Sequence, residues 1–299
     1  LRARGHEVTC VVPNKYPYFL DWMPGIEEVV VFKTDTEGRA VKAIAEADVL
    51  FCLDFNAVSR LEILSETIQG NTTARRVLID HHLQPDEGFD IVFSHPESSS
   101  TCFLVYCLVE AMYGTGAITR RMGELLYVGM MTDTGNFAFS HLTPELFRAV
   151  AVLLEKGISI PEIHNSVYNA YTEGRARLFG YAINRKMALI EDGTVAYMSL
   201  LESEMRRFQF QQGDSEGFVN YALTIKKVKM SAMFLAHRKF IRISLRSRGD
   251  VDVNLFARKY FNGGGHKNAA GGKSFLTMEE TIAHYIRSVR EFAEQGGLG

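Results

Sequence analysis

The chain has 299 residues, of which 46% are hydrophobic and 23% charged, and its net charge is −2 at neutral pH. That length admits two ordinary domains, and the near-neutral balance argues against the broad positive footprint of a protein that grips long duplex DNA. No run of about 18 apolar residues is available to span a membrane, Leu1-Arg2-Ala3-Arg4-Gly5-His6 leads into no apolar signal segment, and the four cysteines (Cys10, Cys52, Cys102, Cys107) sit in apolar surroundings without zinc-type pairing, so a reducing cytoplasm is expected.

The opening residues to Gly5 read as the end of a helix with a glycine cap. A parallel α/β domain begins with a strand before such a helix, so a segment is expected to precede Leu1. Val8 to Val12 is a strand candidate closed by Pro13-Asn14, and Pro17 to Pro24 is an irregular aromatic loop. A second short strand is expected at Val29–Phe32 and a helix at Ala40–Ala47. Val49-Leu50-Phe51-Cys52-Leu53 forms a third strand, ending at Asp54. Ser59-Arg60 opens a helix through Ile68. Arg75-Arg76-Val77-Leu78-Ile79 is then a buried strand that stops at Asp80-His81-His82. The alternation predicts βαβ units around a parallel sheet.

In such sheets ligands gather at the carboxyl ends of strands. A strand-end aspartate by itself is a common turn residue. Asp54 and Asp80 end consecutive strands, and a shared ligand explains both better. A carboxylate beside two imidazoles suits Mn²⁺, Fe²⁺ or Zn²⁺. Ser98-Ser99-Ser100-Thr101 precedes a helical pattern and supplies either its N-cap or a phosphate contact at the helix start. Thr119 to Met131 is another apolar helix. It runs into Asp133, which is either a plain helix stop or a third carboxylate for the same ion.

Thr143 to Lys156 is an amphipathic helix, and Glu162 to about Ile190 reads as further helix. The expected division is a first domain over 1–160, a helical linker over 161–190 and a second domain over 191–299. In the last, Val195–Leu200 is a strand, Ser203 to Phe208 a helix, a further helix starts at Phe218, and Met230–Ala236 is a strand. Arg242, Ser244, Arg246 and Arg248 fall on one face of a strand, and guanidinium groups without an intervening acid suit an anion. The loop Asn262-Gly263-Gly264-Gly265-His266 offers backbone N–H groups as an anion nest, with His266 as a donor or proton shuttle. Thr277-x-x-Glu280 is a capping box for a final helix through about Glu294.

Together these residues resemble the DHH phosphoesterase superfamily. Asp80-His81-His82 is similar to its signature. Asn262 to His266 with Ala269-Ala270-Gly271, and Ser244 to Arg248, are similar to its DHHA1 substrate domain. The resemblance runs through essentially the whole chain and is greatest to members that hydrolyse short oligoribonucleotides and 3′-phosphoadenosine-5′-phosphate. It implies an α/β parallel-sheet DHH domain joined by a helical linker to a smaller mixed α/β DHHA1 domain. It implies two Mn²⁺ ions, with Mg²⁺ or Co²⁺ as substitutes. Asp54 would bridge them, His81 and Asp133 would hold one of them, His82 would face the phosphate and Asp80 would support the histidines. Arg246, Arg248, Gly263, Gly264, Gly265 and His266 would grip the substrate as DHHA1 closes. Hydroxide held between ions about 3.5–4 Å apart would attack phosphorus in line. The implied partners are short RNA or a small nucleotide, with no long-duplex DNA and no membrane, and a homodimer is admitted. Cyclic di-AMP or its linear product pApA is an alternative substrate, and a non-catalytic nucleotide-binding protein the alternative of another class. The family's first motif, a histidine and two aspartates after the opening strand, would lie before Leu1.

Overall fold

The computed structural model describes residues 1–61, 63–138 and 141–299. It is an α/β protein that divides into two compact units, Leu1–Ala170 and Tyr171–Gly299. The stretch 161–190 is shared between them. Its first helix belongs to the first unit and ends at Tyr168, before Thr172 caps the next.

In the first unit β1 (Val11–Val12) pairs in parallel with β2 (Val30–Val31). The expected strands at Val8–Val12 and Val29–Phe32 are therefore shorter, because Phe32 already begins a 3-10 turn. Helix α1 (Arg39–Ala45) leads to β3 (Val49–Leu53). The helix expected over Ser59–Ile68 is a 3-10 turn at Val58–Leu61 followed by α2 (Ile63–Gly70), and Glu62 lies outside the described residues. β4 (Arg75–Asp80) and β5 (Ile91–Ser94) complete a parallel sheet ordered β3-β4-β5. β5 has no sequence signal of its own length. Asp90 creates its start by accepting the Arg76 N–H at 2.7 Å.

Ile44, Leu64 and Ile68 form a small core with Val11, Phe32 and Leu50, so α1 and α2 cover residues from β1 and β3 alike. The larger core lies among α3 (Thr101–Tyr113), α4 (Arg120–Asp133), α5 (Pro144–Glu155) and α6 (Ile160–Tyr168). Ser100, Thr119, Thr143 and Ser159 cap these helices with their hydroxyls, each accepting a first-turn N–H.

The second unit begins with α7 (Glu173–Tyr181). Where continued helix was expected to Ile190, a π-turn at Ala182–Lys186 gives way to β6 (Ala188–Ile190). β7 (Val195–Leu200), α8 (Glu202–Arg207), α9 (Phe218–Tyr221), β8 (Met230–His237), β9 (Phe240–Ser247) and α10 (Val253–Phe261) follow. The glycine loop is itself a strand, β10 (Gly264–His266), in a hairpin with β11 (Ala269–Ser274), before α11 (Met278–Glu294). The expected capping box is formed: Glu280 N–H donates to Thr277 and the Glu280 carboxylate receives the Thr277 N–H. The mixed sheet runs β10-β11-β9-β8-β7-β6, with β7 and β8 parallel. One face packs on α10 and α11 through Phe234, Ile243, Phe256 and Tyr285. On the other, Met198, Leu200, Met233 and Leu235 pack on Leu178, Met205 and Phe218 of α7, α8 and α9.

Candidate metal centre and anion-binding face

The register Leu53↔Ile79 puts the ends of β3 and β4 side by side. Asp54 N–H donates to the Ile79 carbonyl at 3.1 Å, extending the ladder by one bond. Asp54 then turns into the left-handed region at φ 65°, which aspartate tolerates better than most residues. The turn brings its carboxylate over the strand ends. Asp80, the last residue of β4, is fully buried. Asp133 ends α4, and Gly135, Asn136 and Phe137 follow at φ 56°, 61° and 58°. A left-handed turn through a phenylalanine is strained. It is held by the Phe137 N–H donating to Thr134 Oγ1 at 3.0 Å and by Phe137 packing near Tyr127 and Phe147. The helix therefore stops with Asp133 at its tip.

His81 Nδ1 lies 3.1 Å from the Ser98 carbonyl. A carbonyl only accepts, so Nδ1 carries a proton and Nε2 is left with its lone pair in the neutral ring. That Nε2 stands 3.6 Å from Asp54 Oδ1 and 3.8 Å from Asp133 Oδ2. Two carboxylates facing an imidazole lone pair are relieved by a proton on one of the acids or by a cation held between them. Ligand atoms around one cation at roughly 2.0–2.2 Å stand roughly 3–3.6 Å apart, and the ligand atoms of Asp54, His81 and Asp133 all lie within 4.8 Å of one another, so the set needs to contract to seat one. Hard and borderline donors together fit Mn²⁺, Fe²⁺ or Zn²⁺. Asp54 also belongs to a second group, with Asp80 and His82, whose ligand atoms lie within 4.8 Å of one another. One carboxylate is thus common to two overlapping sets.

His82 Nδ1 lies 2.7 Å from Asp80 Oδ1, and the His82 backbone N–H donates to Asp80 Oδ2 at 3.1 Å. Burial alone would push the Asp80 carboxyl up. The side-chain and backbone hydrogen bonds from His82, with that from the His81 backbone, outweigh it and hold Asp80 below the usual carboxylate range. An ionised Asp80 fixes the His82 ring and presents its Nε2. Asp133 behaves oppositely. Burial pushes its carboxyl up to about 7, the Asp54 charge adds to the rise, and His82 opposes it.

Two orienting groups had no individual sequence signal. The Thr101 hydroxyl donates to Asp54 Oδ1 at 2.8 Å, and the Ser98 carbonyl sets the His81 tautomer. The serine-threonine run thus does more than cap a helix: Ser100 caps, while Ser98 and Thr101 hold metal-type ligands in place.

In the second unit, register collects the other expected residues. His266 pairs with Ala269, Ala269 with Arg246 and Arg246 with Ser231. Directly paired residues share a face, so His266 and Arg246 stand on the same side, about 10 Å apart at ordinary strand spacing. Ala269 between them is too small to fill the gap. Arg242 and Ser244 continue this face along β9. Arg248 lies beyond the strand, exposed, with its guanidinium 3.4 Å from the Ile225 carbonyl, so the structure does not gather it with Arg246.

The glycine loop also has a structural role. Gly263 N–H donates to the Ala257 carbonyl and Gly265 N–H to Asn254 Oδ1. Those two amides are engaged within the fold. The glycines answer a packing need: a Cβ on Gly263 would lie 1.9 Å from the Gly271 carbonyl oxygen, and one on Gly265 2.4 Å from that of Ala269. Gly264 has room for one, the nearest atom being Asn254 Oδ1 at 3.5 Å.

Comparison with known proteins agrees with both halves. Residues 1–130 match the model of the DHH family, N-terminal domain, and residues 192–295 that of the DHHA1 domain. The bifunctional oligoribonuclease and PAP phosphatase NrnA of Bacillus subtilis is 28% identical over 68% of this chain and 63% of its own length. The protein of that name from Thermus thermophilus is 26% identical over 99% of this chain and 84% of its length. The chain therefore spans somewhat less than two thirds of the Bacillus relative. The crystal structure of an exopolyphosphatase-related protein from Bacteroides fragilis superposes with a TM-score of 0.89 at 40% identity, covering 97% of this chain and 85% of that one.

Proposed function

Because the chain belongs to the DHH family and carries its DHHA1 domain, we propose that it is a metal-dependent hydrolase of phosphoester bonds, acting on short oligoribonucleotides and on 3′-phosphoadenosine-5′-phosphate. The observation that carries this reading is the convergence of His81 Nε2, Asp54 and Asp133, with the His81 tautomer set from behind by the Ser98 carbonyl.

Asp54, His81 and Asp133 would hold the metal, with Asp54 common to a second ion beside Asp80 and His82. Mn²⁺ is the first choice, with Mg²⁺ or Co²⁺ as substitutes. The chemistry such ions supply when bound is polarisation of the phosphoryl group and activation of water at neutral pH. His82, oriented through Nδ1 by Asp80, presents Nε2 to the phosphate or the leaving oxygen, where it holds or delivers a proton. The ionised Asp80 stabilises the imidazolium that this role requires. In the second unit Arg246 and His266, aligned in one row, bind the anionic remainder of the substrate. Arg248 stands at the margin of that face, and the glycine hairpin holds the row's geometry. Charge and hydrogen bonding select the phosphates, and nothing in this set reads base sequence.

The test is metal content together with hydrolysis of pApA and 3′-phosphoadenosine-5′-phosphate in Mn²⁺. About two ions per chain and release of nucleotide or phosphate are expected. Nucleotide binding without metal or turnover would replace the enzyme with a binding protein of the same fold.

A further inference from the structure

The arginine face of the second unit already carries an anion of its own. Glu216 Oε1 lies 3.6 Å from the Arg242 guanidinium, and both side chains are about half exposed, at 48% and 49%. We propose that Glu216 is an internal competitor for the phosphate groups of nucleotide ligands at this face, weakening their binding and speeding the release of product. The proposal rests on the reading of that face as the substrate-binding one.

The backbone around Glu216 is pinned while its carboxylate is not. Gly213 and Gly217 bracket the loop at φ 103° and 83°. The fully buried Asp214 accepts the Gln211 N–H at 2.7 Å. Glu216 N–H donates to the Gly213 carbonyl at 2.9 Å, and its own carbonyl receives Arg175 NH2 at 2.8 Å. Arg175 is fixed in turn by stacking on the Tyr171 ring at 3.3 Å. Only rotation of the Glu216 side chain is needed to leave Arg242, so displacement by a ligand needs no loop movement.

The competitor has a physical reason to be there. Burial disfavours the Arg246 guanidinium charge and Arg242 adds to that, whereas Glu216 opposes it. A carboxylate therefore steadies the cationic face when no phosphate does so. Its cost falls on the ligand, which must displace it or bind beside it. Half-exposed ion pairs are worth about 0.2–1 kcal/mol, which corresponds to an affinity change of about 1.4- to fivefold.

The experiment is calorimetric binding of adenosine 5′-monophosphate to the full chain, with product inhibition of turnover as a second readout. Glu216→Gln is expected to lower Kd and the inhibition constant about 1.4- to fivefold, and the gain is expected to vanish in an Arg242→Ala background. An unchanged Kd would overturn the proposal. A raised Kd would also overturn it, since Glu216 would then be positioning Arg242 for the ligand. If the wild type and Glu216→Gln both bind no nucleotide, while Arg246→Ala also leaves substrate kinetics untouched, the reading of the face itself fails and the proposal with it.

Discussion

The three-stranded sheet of the first unit and the six-stranded sheet of the second are covered very differently. In the second unit every residue of β8 from Met230 to Leu235 is buried, because helices pack on both faces. In the first unit one face of β3 is closed by Leu50 and Cys52, while Val49, Phe51 and Leu53 on the other are 44%, 47% and 45% exposed. The open row continues through Ile91 of β5, which shares the register row of Phe51 and Val77. Parallel sheets are ordinarily buried on both sides. The first unit therefore draws its cohesion mainly from the helical core around Tyr127, Met130, Leu146 and Leu153, and its sheet serves chiefly to line up Asp54 and Asp80. The second unit draws its cohesion from the sheet itself, and its polar face is a by-product of register. In the proposed function the first unit contributes through its strand ends and the second through its strand pairing.

The sharpest way to probe the first arrangement is to remove the shared carboxylate. Asp54→Asn is expected to abolish metal binding at both overlapping sets, and hydrolysis should fall by more than the roughly 10–100-fold that loss of an outer partner costs. Metal analysis and turnover would show it, and near-normal activity would remove Asp54 from the centre. Thr101→Val should fall within that 10–100-fold range of metal affinity, because it removes the 2.8 Å hydrogen bond that aims Asp54. Thr101→Ser should restore most of the loss.

The second arrangement is tested by adjacent glycines. Gly263→Ala drives a Cβ into the Gly271 carbonyl, whereas Gly264→Ala meets nothing closer than 3.5 Å. The first should destabilise the protein by about 1–3 kcal/mol and the second by far less. Thermal melts of the two variants decide whether the hairpin's glycines serve packing. Equal melting temperatures would return them to the role of a flexible ligand loop.

A pH series separates charge from packing at the proposed metal centre. The Asp133 carboxyl is pushed up to about 7, from an unfolded value near the usual carboxylate range, by burial and by the Asp54 charge. An acid whose pKa is raised on folding favours the native state while protonated. That contribution is present at low pH and is lost as pH rises from about 4 through 7. Metal-free protein should therefore lose this increment across that window, while the stabilisation added by Mn²⁺ should grow with pH as protons are released. A metal-induced shift in Tm that does not depend on pH between 5 and 8 would contradict the assignment of Asp133 as a ligand.

Much of this was legible in the residues themselves. Val49–Leu53 and the strand into Asp80 could be read from β-branched and apolar runs, and the capping box at Thr277 from its spacing. Asp54, Asp80, His81 and His82 could be placed together because both strands had to end on one sheet edge. β5 escaped because four residues bounded by polar turns carry too little pattern. β6 escaped because Ala188-Leu189-Ile190 directly continues a helical sequence. The glycine run could be recognised as important but not understood. Whether a glycine meets a ligand or a neighbouring strand depends on pairing across β10 and β11, which local sequence does not encode. Thr101 and Ser98 were hidden for a related reason: each acts on a residue distant in the chain.

The smallest expected effect bears on the open row of β3. Phe51 and Leu53 contribute little burial, so replacing them with polar residues removes little from the native core. Phe51→Thr introduces a β-branched side chain suited to a strand, and its stability should lie within about 0.5 kcal/mol of the parent, the usual range for surface positions. Solution behaviour should change more than stability. A contiguous apolar strip on an edge strand is a site for self-association, so Phe51→Thr combined with Leu53→Thr should reduce concentration-dependent association in light scattering at an unchanged Tm. A large fall in Tm would mean that this row is covered within the folded chain and that the contrast between the two sheets is overstated. An unchanged Tm with reduced association would leave the first unit's sheet as a scaffold for two aspartates more than as a core.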